Sequence, residues 1–163
     1  MEKKQHFLPT LFERLLDNEP KKQQESFDAF YFDARTMRSV VQKDISYLLN
    51  NTNIEDRLDE HRHNAVCDSV INYGIAPFSG KYANHHNWNV IEKSIRKALL
   101  RFESRIIPES LLVRPLSDKD VLGKNGIVLF EIRGLIEWHP HPIDLCINGA
   151  YDIETAKVDL KSA

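Results

Sequence analysis

The chain has 163 residues, 42% of them hydrophobic, with 22 basic and 24 acidic side chains, a formal charge of -2 and a pI near 6.4. That size suits one packed domain with its own core, and the near-neutral balance gives no electrostatic basis for nucleic acid or an anionic membrane surface as partner. No window approaches the ~18 apolar residues of a membrane span, and Glu13 and Arg14 interrupt the first apolar run too soon for a secretory signal, so a cytoplasmic, non-membrane-inserted protein is expected.

Leu8, Leu11, Phe12, Leu15 and Leu16 form an apolar stripe at helical spacing, and the polar stretch from Asp17 to Ser26, with Pro20, separates it from the remainder of the chain. Residues 1–26 therefore read as a short helix and linker, which can either pack on its own domain or dock on a neighbour through Leu11, Phe12 and Leu15. Residues 27–163 read as a single domain. It opens on the aromatic cluster Phe27, Phe30, Tyr31 and Phe32, which suits core packing. Met37, Val40, Val41, Ile45, Leu48 and Leu49 then predict a helix ending near Asn50-Asn51, with Arg38, Lys43 and Asp44 toward water. A second helix is predicted from Arg57 or Leu58 to Asn72. It would bury Leu58, Ala65, Val66, Val70 and Ile71 and end on a left-handed cap at Gly74. Pro77, Ser79 and Gly80 mark a connector, and a third helix starts near His86 or Asn87.

That third helix places Trp88, Ile91, Ile95, Ala98, Leu99 and Phe102 on one face and Glu92, Lys93, Arg96, Lys97 and Arg101 on the other. Pro108 prevents simple continuation, because proline lacks a backbone donor and disfavours helical geometry in the residue before it. Glu103-Ser104-Arg105 therefore falls on a helix end or the turn after it, with its charges rigidly placed and exposed.

Beyond Pro108 the hydrophobic period changes to two. Leu111 to Leu116 reads as a strand, Asn125-Gly126 as a turn, and Ile127 to Trp138 as a long strand. Val128, Phe130, Ile132, Ile136 and Trp138 share one face of that strand. Glu131, Arg133 and Glu137 lie on the other, toward water or a partner, and Gly134 suggests a bend or bulge. After the turn at His139-Pro140-His141-Pro142, Ile143, Leu145 and Ile147 mark a further strand. Ile153 to Ala156 forms a last turn before a short strand around Lys157 to Leu160. The expected fold class is α+β, a helical layer packed on a small, mostly antiparallel sheet in the C-terminal half.

Taken in order, Leu8-Pro9-Thr10-Leu11-Phe12-Glu13-Arg14-Leu15, the segment from Val41 to Asn50, Ile71-Asn72-Tyr73-Gly74 with Ser79-Gly80, and Glu103-Ser104-Arg105 resemble the TssE family. These are type VI secretion baseplate components of the lysozyme-like baseplate wedge family found in contractile phages. The likeness runs from about Leu8 to Leu160. It departs at Ser104, where the family pattern is Glu-Pro-Arg, which relaxes the backbone but keeps both charges at the same spacing. The resemblance implies a baseplate subunit that joins the wedge proteins TssF and TssG, with TssK a further partner, to the sheath subunits TssB and TssC, on the cytoplasmic side of the inner membrane. It also implies that Glu103 and Arg105 bind the TssF/TssG core, and that a sheet edge takes part in strand sharing with the sheath; the sequence leaves open which edge is free, and the last strand, at Lys157 and Val158, is the candidate. An anti-adaptor of the same fold family, which binds a response-regulator adaptor, is the alternative function.

Catalysis is not expected. Glycoside hydrolysis uses two carboxyl groups about 5 to 10 Å apart, one of them in an apolar cleft. Glu103 or Glu131 could supply one, but nothing marks a second. His61-x-His63, His85-His86 and His139-x-His141 lack zinc-site spacing, and Cys67 and Cys146 lack both Cys-x-x-Cys spacing and disulfide-scaffold density, so free thiols and no cofactor are expected. No phosphate-binding glycine motif and no Gly-x-Ser-x-Gly occurs.

Overall fold

A computed structural model describes residues 11, 15–16, 20–24, 33–59, 61–77, 88–116 and 126–162. Phe12, the aromatic cluster from Phe27 to Phe32, Ser79-Gly80, His85-His86 and the connector 117–125 lie outside them. Helix α1 (Ala34–Asn50) begins where the Asp33 side chain accepts a hydrogen bond from the Thr36 amide at 2.7 Å, satisfying one of the unpaired donors of the first turn. It buries Val40, Val41, Ile45, Leu48 and Leu49 and ends at the predicted asparagines. Helix α3 (Trp88–Phe102) buries Ile91, Ile95, Ala98 and Leu99.

Between them the predicted helix from Leu58 to Asn72 is replaced by a 3-10 turn at Glu55–Arg57, the four-residue helix α2 (Asn64–Cys67) and a second 3-10 turn at Val70–Asn72. None of the predicted core residues of that segment is buried, and Val70 and Ile71 are 81% and 82% exposed. The interior positions belong instead to Asn53, Cys67 and Asn72. The Asn72 side chain accepts from the Ile54 amide and donates to the Cys67 carbonyl, while Asn53 donates to the Gly74 carbonyl at 2.9 Å. Side-chain amides thus take backbone groups that a continuous helix would have paired internally. Gly74 does carry a positive φ, 126°, but as part of the parallel bridge between Thr52 and Ile75 rather than as a helix cap. A Cβ there would lie 2.2 Å from the Asn51 carbonyl oxygen.

The C-terminal half is a four-stranded antiparallel meander in the order β1 (Leu112–Pro115), β2 (Ile127–Ile136), β3 (Ile143–Asp152) and β4 (Lys157–Ser162). Pairing of β2 with β3 runs uninterrupted through Gly134, opposite Leu145, so the expected bulge is absent from this pair. Gly149 has a different use. It lies opposite Phe130, and a Cβ on it would sit 2.3 Å from that ring. Val113, Val128, Phe130, Ile132, Ile136, Leu145, Ile147, Tyr151 and Val158 turn one face of the sheet toward the helices. Helix α1 packs on β3 and β4 and α3 on β1, which is the expected helical layer on an α+β sheet.

Candidate functional site

Glu103 and Arg105 sit at the corner where α3 ends and the chain turns into the sheet. The Glu103 amide still donates to the Leu99 carbonyl, so the helix fixes its backbone. Arg105 is fixed from the other side, because its carbonyl accepts from the Glu137 amide at 2.8 Å just beyond β2, and Ile106 bridges Ile136. The guanidinium grips the Glu103 carboxylate with both prongs, Nε to Oε1 at 2.7 Å and Nη2 to Oε2 at 2.6 Å. Nη2 also donates to Asp44 Oδ2 of α1 at 2.6 Å. The expected exposure is therefore corrected. Glu103 is 5% exposed and the Arg105 side chain 26%, because the triplet folds inward against α1 instead of fraying into water.

Three elements meet at this guanidinium: the end of α3, the middle of α1 and the margin of β2. Burial alone would lower the Arg105 pKa, but the hydrogen bonds and charges of Glu103 and Asp44 outweigh it and raise it above the ordinary value. Tyr73 closes the corner. Its hydroxyl reaches the Asp44 carbonyl at 3.4 Å and its ring meets Phe102 edge-on at 5.3 Å. Burial, then the carboxylates of Asp44 and Glu103, push the phenol pKa up. Among the described residues Arg105 Nη1 has no hydrogen bond, so one edge of the fork remains to take a further acceptor.

A second charged cluster lies on the sheet face turned away from the helices. Glu131, expected to face water or a partner, is only 4% exposed. Arg114 Nε donates to it at 2.5 Å, Arg133 Nη2 at 2.9 Å and Cys146 Sγ at 3.4 Å. The Arg133 bond, helped by Arg114 and Cys146, outweighs burial and lowers the Glu131 pKa to about 2. Burial and the neighbouring Glu131 carboxylate raise that of the Cys146 thiol.

The two sheet edges differ. Leu116 donates to the Leu129 carbonyl, which by strand alternation turns the backbone groups of Val113 and Pro115 outward on β1. Pro115 has no N–H to offer, and β1 is only four residues long, so this edge is blunted. On β4 the Val158 amide and carbonyl point outward, and both are taken by the side chain of Asn50 at the end of α1. Alternation places the amide and carbonyl of Leu160 on the same side, where no described residue pairs with them. Lys157 is exposed and its backbone groups face β3. The open margin thus starts two residues beyond Val158. At the other end of the chain, Leu11 and Leu15 are 72% and 74% exposed.

Sequence reasoning named Asp44, Asn50 and Tyr73 but gave none of them a part in the site. Asp44 carries only the signal of a polar position on an amphipathic helix, and its partner lies 61 residues away. No helix among the described residues is long and apolar enough to cross a membrane. No curated protein and no solved structure gives a significant match. A protein-family model described as baseplate wedge protein gp25 does match, over residues 35–141, which include α1 from its second residue, α3, the Glu103–Arg105 corner and the first two strands. The chain belongs to this baseplate wedge family, the family of TssE, and its role is that of a structural baseplate protein of a contractile, phage-like or type VI-like machine.

Proposed function

We propose that the chain is the TssE-type wedge subunit of a type VI secretion baseplate, that it links the TssF/TssG wedge, with TssK nearby, to the TssB/TssC sheath and helps to start sheath assembly, and that it does so without catalysis on the cytoplasmic side of the inner membrane. The observation that carries this reading is the asymmetry of the sheet. One edge is blunted by Pro115, while the other presents the unpaired backbone groups of Leu160 to a strand from another chain.

Two further surfaces serve the wedge side. The free edge of the Arg105 fork, held in place by Glu103, binds a carboxylate or a carbonyl of the TssF/TssG core. Leu11 and Leu15, with Phe12 between them in sequence, dock on a neighbouring baseplate protein.

Leu160→Pro tests the sheath side, since it removes an outward N–H and leaves the inward pairs of Lys157, Asp159 and Lys161 with β3 in place. The folded variant is expected to co-purify with TssF and TssG but to lose sheath nucleation. Normal nucleation by this variant would overturn the strand-accepting reading. Recovery of a lone response regulator in place of wedge proteins would favour the anti-adaptor alternative.

A further inference from the structure

We infer that Asn50 is a plug on the β4 edge that sets where an added sheath strand stops pairing. This rests on the strand-accepting reading of β4 and adds to it a residue that fixes register. Asn50 Nδ2 donates to the Val158 carbonyl at 2.9 Å, and the Val158 amide donates to Asn50 Oδ1 at 3.0 Å. A side-chain amide carries an N–H donor and a C=O acceptor on one carbon, the same groups a peptide presents, so Asn50 occupies the place of a neighbouring strand at that residue. Its orientation is locked, because Nδ2 also donates to the Ser46 carbonyl one helical turn back at 2.9 Å.

The period of a strand determines the consequence. Outward backbone pairs recur every second residue, so with Val158 satisfied the margin left to a partner consists of Leu160 and Ser162. Beside Leu160 lies a groove of about 480 Å³ whose α1 wall carries Ser39, Gln42, Lys43, Ser46 and Tyr47, with the Lys43 ammonium 5.9 Å from the centre of the Tyr47 ring. An extended sheath segment laid along Leu160 would turn alternate side chains into this groove, against hydroxyls, an amide, one ring and the Lys43 ammonium.

Three readings on the full chain test the inference. In the unmodified protein, a through-hydrogen-bond NMR correlation is expected between the Val158 amide and the side-chain carbonyl carbon of Asn50; its absence in a folded sample overturns the plug, whatever happens to any variant. In Asn50→Ala, exchange of the Val158 amide is expected to accelerate roughly five- to tenfold while the Ile132 and Ile147 amides keep their protection. Unchanged Val158 exchange overturns the plug.

On addition of TssB/TssC, Leu160 should slow in both proteins, and Val158 should slow in addition only in Asn50→Ala, where the added strand can run one pair further. A Val158 amide that stays fast in the sheath-bound variant shows that Asn50 does not set the stop. A Leu160 amide that fails to slow in the unmodified protein overturns the strand-accepting reading itself, and the two failures are thereby told apart.

Discussion

Glu103 and Glu131 are both buried carboxylates held by arginine, and they differ in what their arginines connect. Arg105 joins Glu103 to Asp44 and so ties α3 to α1 at the point where the chain enters the sheet. Arg114 and Arg133 join Glu131 only to its immediate strand neighbours, and their own side chains stay 49% and 52% exposed. The first cluster defines how helices and sheet meet. The second reinforces pairing that the backbone of β1 and β2 already specifies. A buried charge costs little where its partners keep water, and much where removing one partner leaves the others enclosed together.

The largest effect should therefore come from Arg105→Ala, which leaves Glu103 at 5% exposure with no cation and with Asp44 close by. A loss of about 2–4 kcal/mol is expected by urea denaturation, below the upper end for fully buried pairs because Asp44 and Arg105 retain some water. Arg105→Lys should recover part of it, since a single ammonium cannot reproduce both prongs. Equal stability of Arg105→Ala and the unmodified protein would show that the corner holds nothing together, and would return these charges to the exposed role that their sequence first suggests.

That first suggestion illustrates what periodicity reveals and what it leaves out. Helices α1 and α3 and all four strands are legible because their apolar residues repeat at 3.6 or 2 along continuous segments. The stretch from Leu58 to Asn72 shows a similar apolar pattern, yet it breaks into short turns. Its interior contacts are made by Asn53 and Asn72, whose polarity marks them as surface residues until their backbone partners are known. Glu103 and Arg105 are legible as a motif, but their burial depends on Asp44, and Val158 is legible as a strand residue, but its edge depends on Asn50, 108 residues earlier. Long-range polar pairs of this kind leave no periodic trace in one sequence.

Glu131→Gln should have a smaller effect that depends on pH. The folded-state pKa of Glu131, about 2, lies below the ordinary 4.5, so its ionised form favours the folded state. This contribution is fully present above pH 4.5 and is lost as the pH falls toward 2. It should be on the order of 1–2 kcal/mol, discounted because both arginines are half in water. The substitution is expected to lower stability at pH 7 by about that amount, and the two stability curves should converge at the acid end. Curves that stay parallel from pH 7 to pH 2 would remove Glu131 from any part in acid sensitivity.

The smallest effect separates the two roles within the helix-end corner itself. Asp44→Asn removes one charge but leaves both Glu103 prongs on Arg105, so the cost should be about 0.5–1 kcal/mol, the scale of a partly exposed ion pair. Tyr73 gives a readout that a general loosening would not mimic. Burial, then the charges of Asp44 and Glu103, hold its phenol above the ordinary value of 10.0, so deleting the Asp44 charge should let Tyr73 ionise at lower pH. An NMR titration of the Tyr73 ring carbon bonded to the hydroxyl would follow this residue alone. A downward shift with Arg105 still bound to Glu103 would mean that Asp44 acts on the corner through its field as well as through its bond to the guanidinium. If Tyr73 titrates unchanged, Asp44 contributes only that bond to the corner.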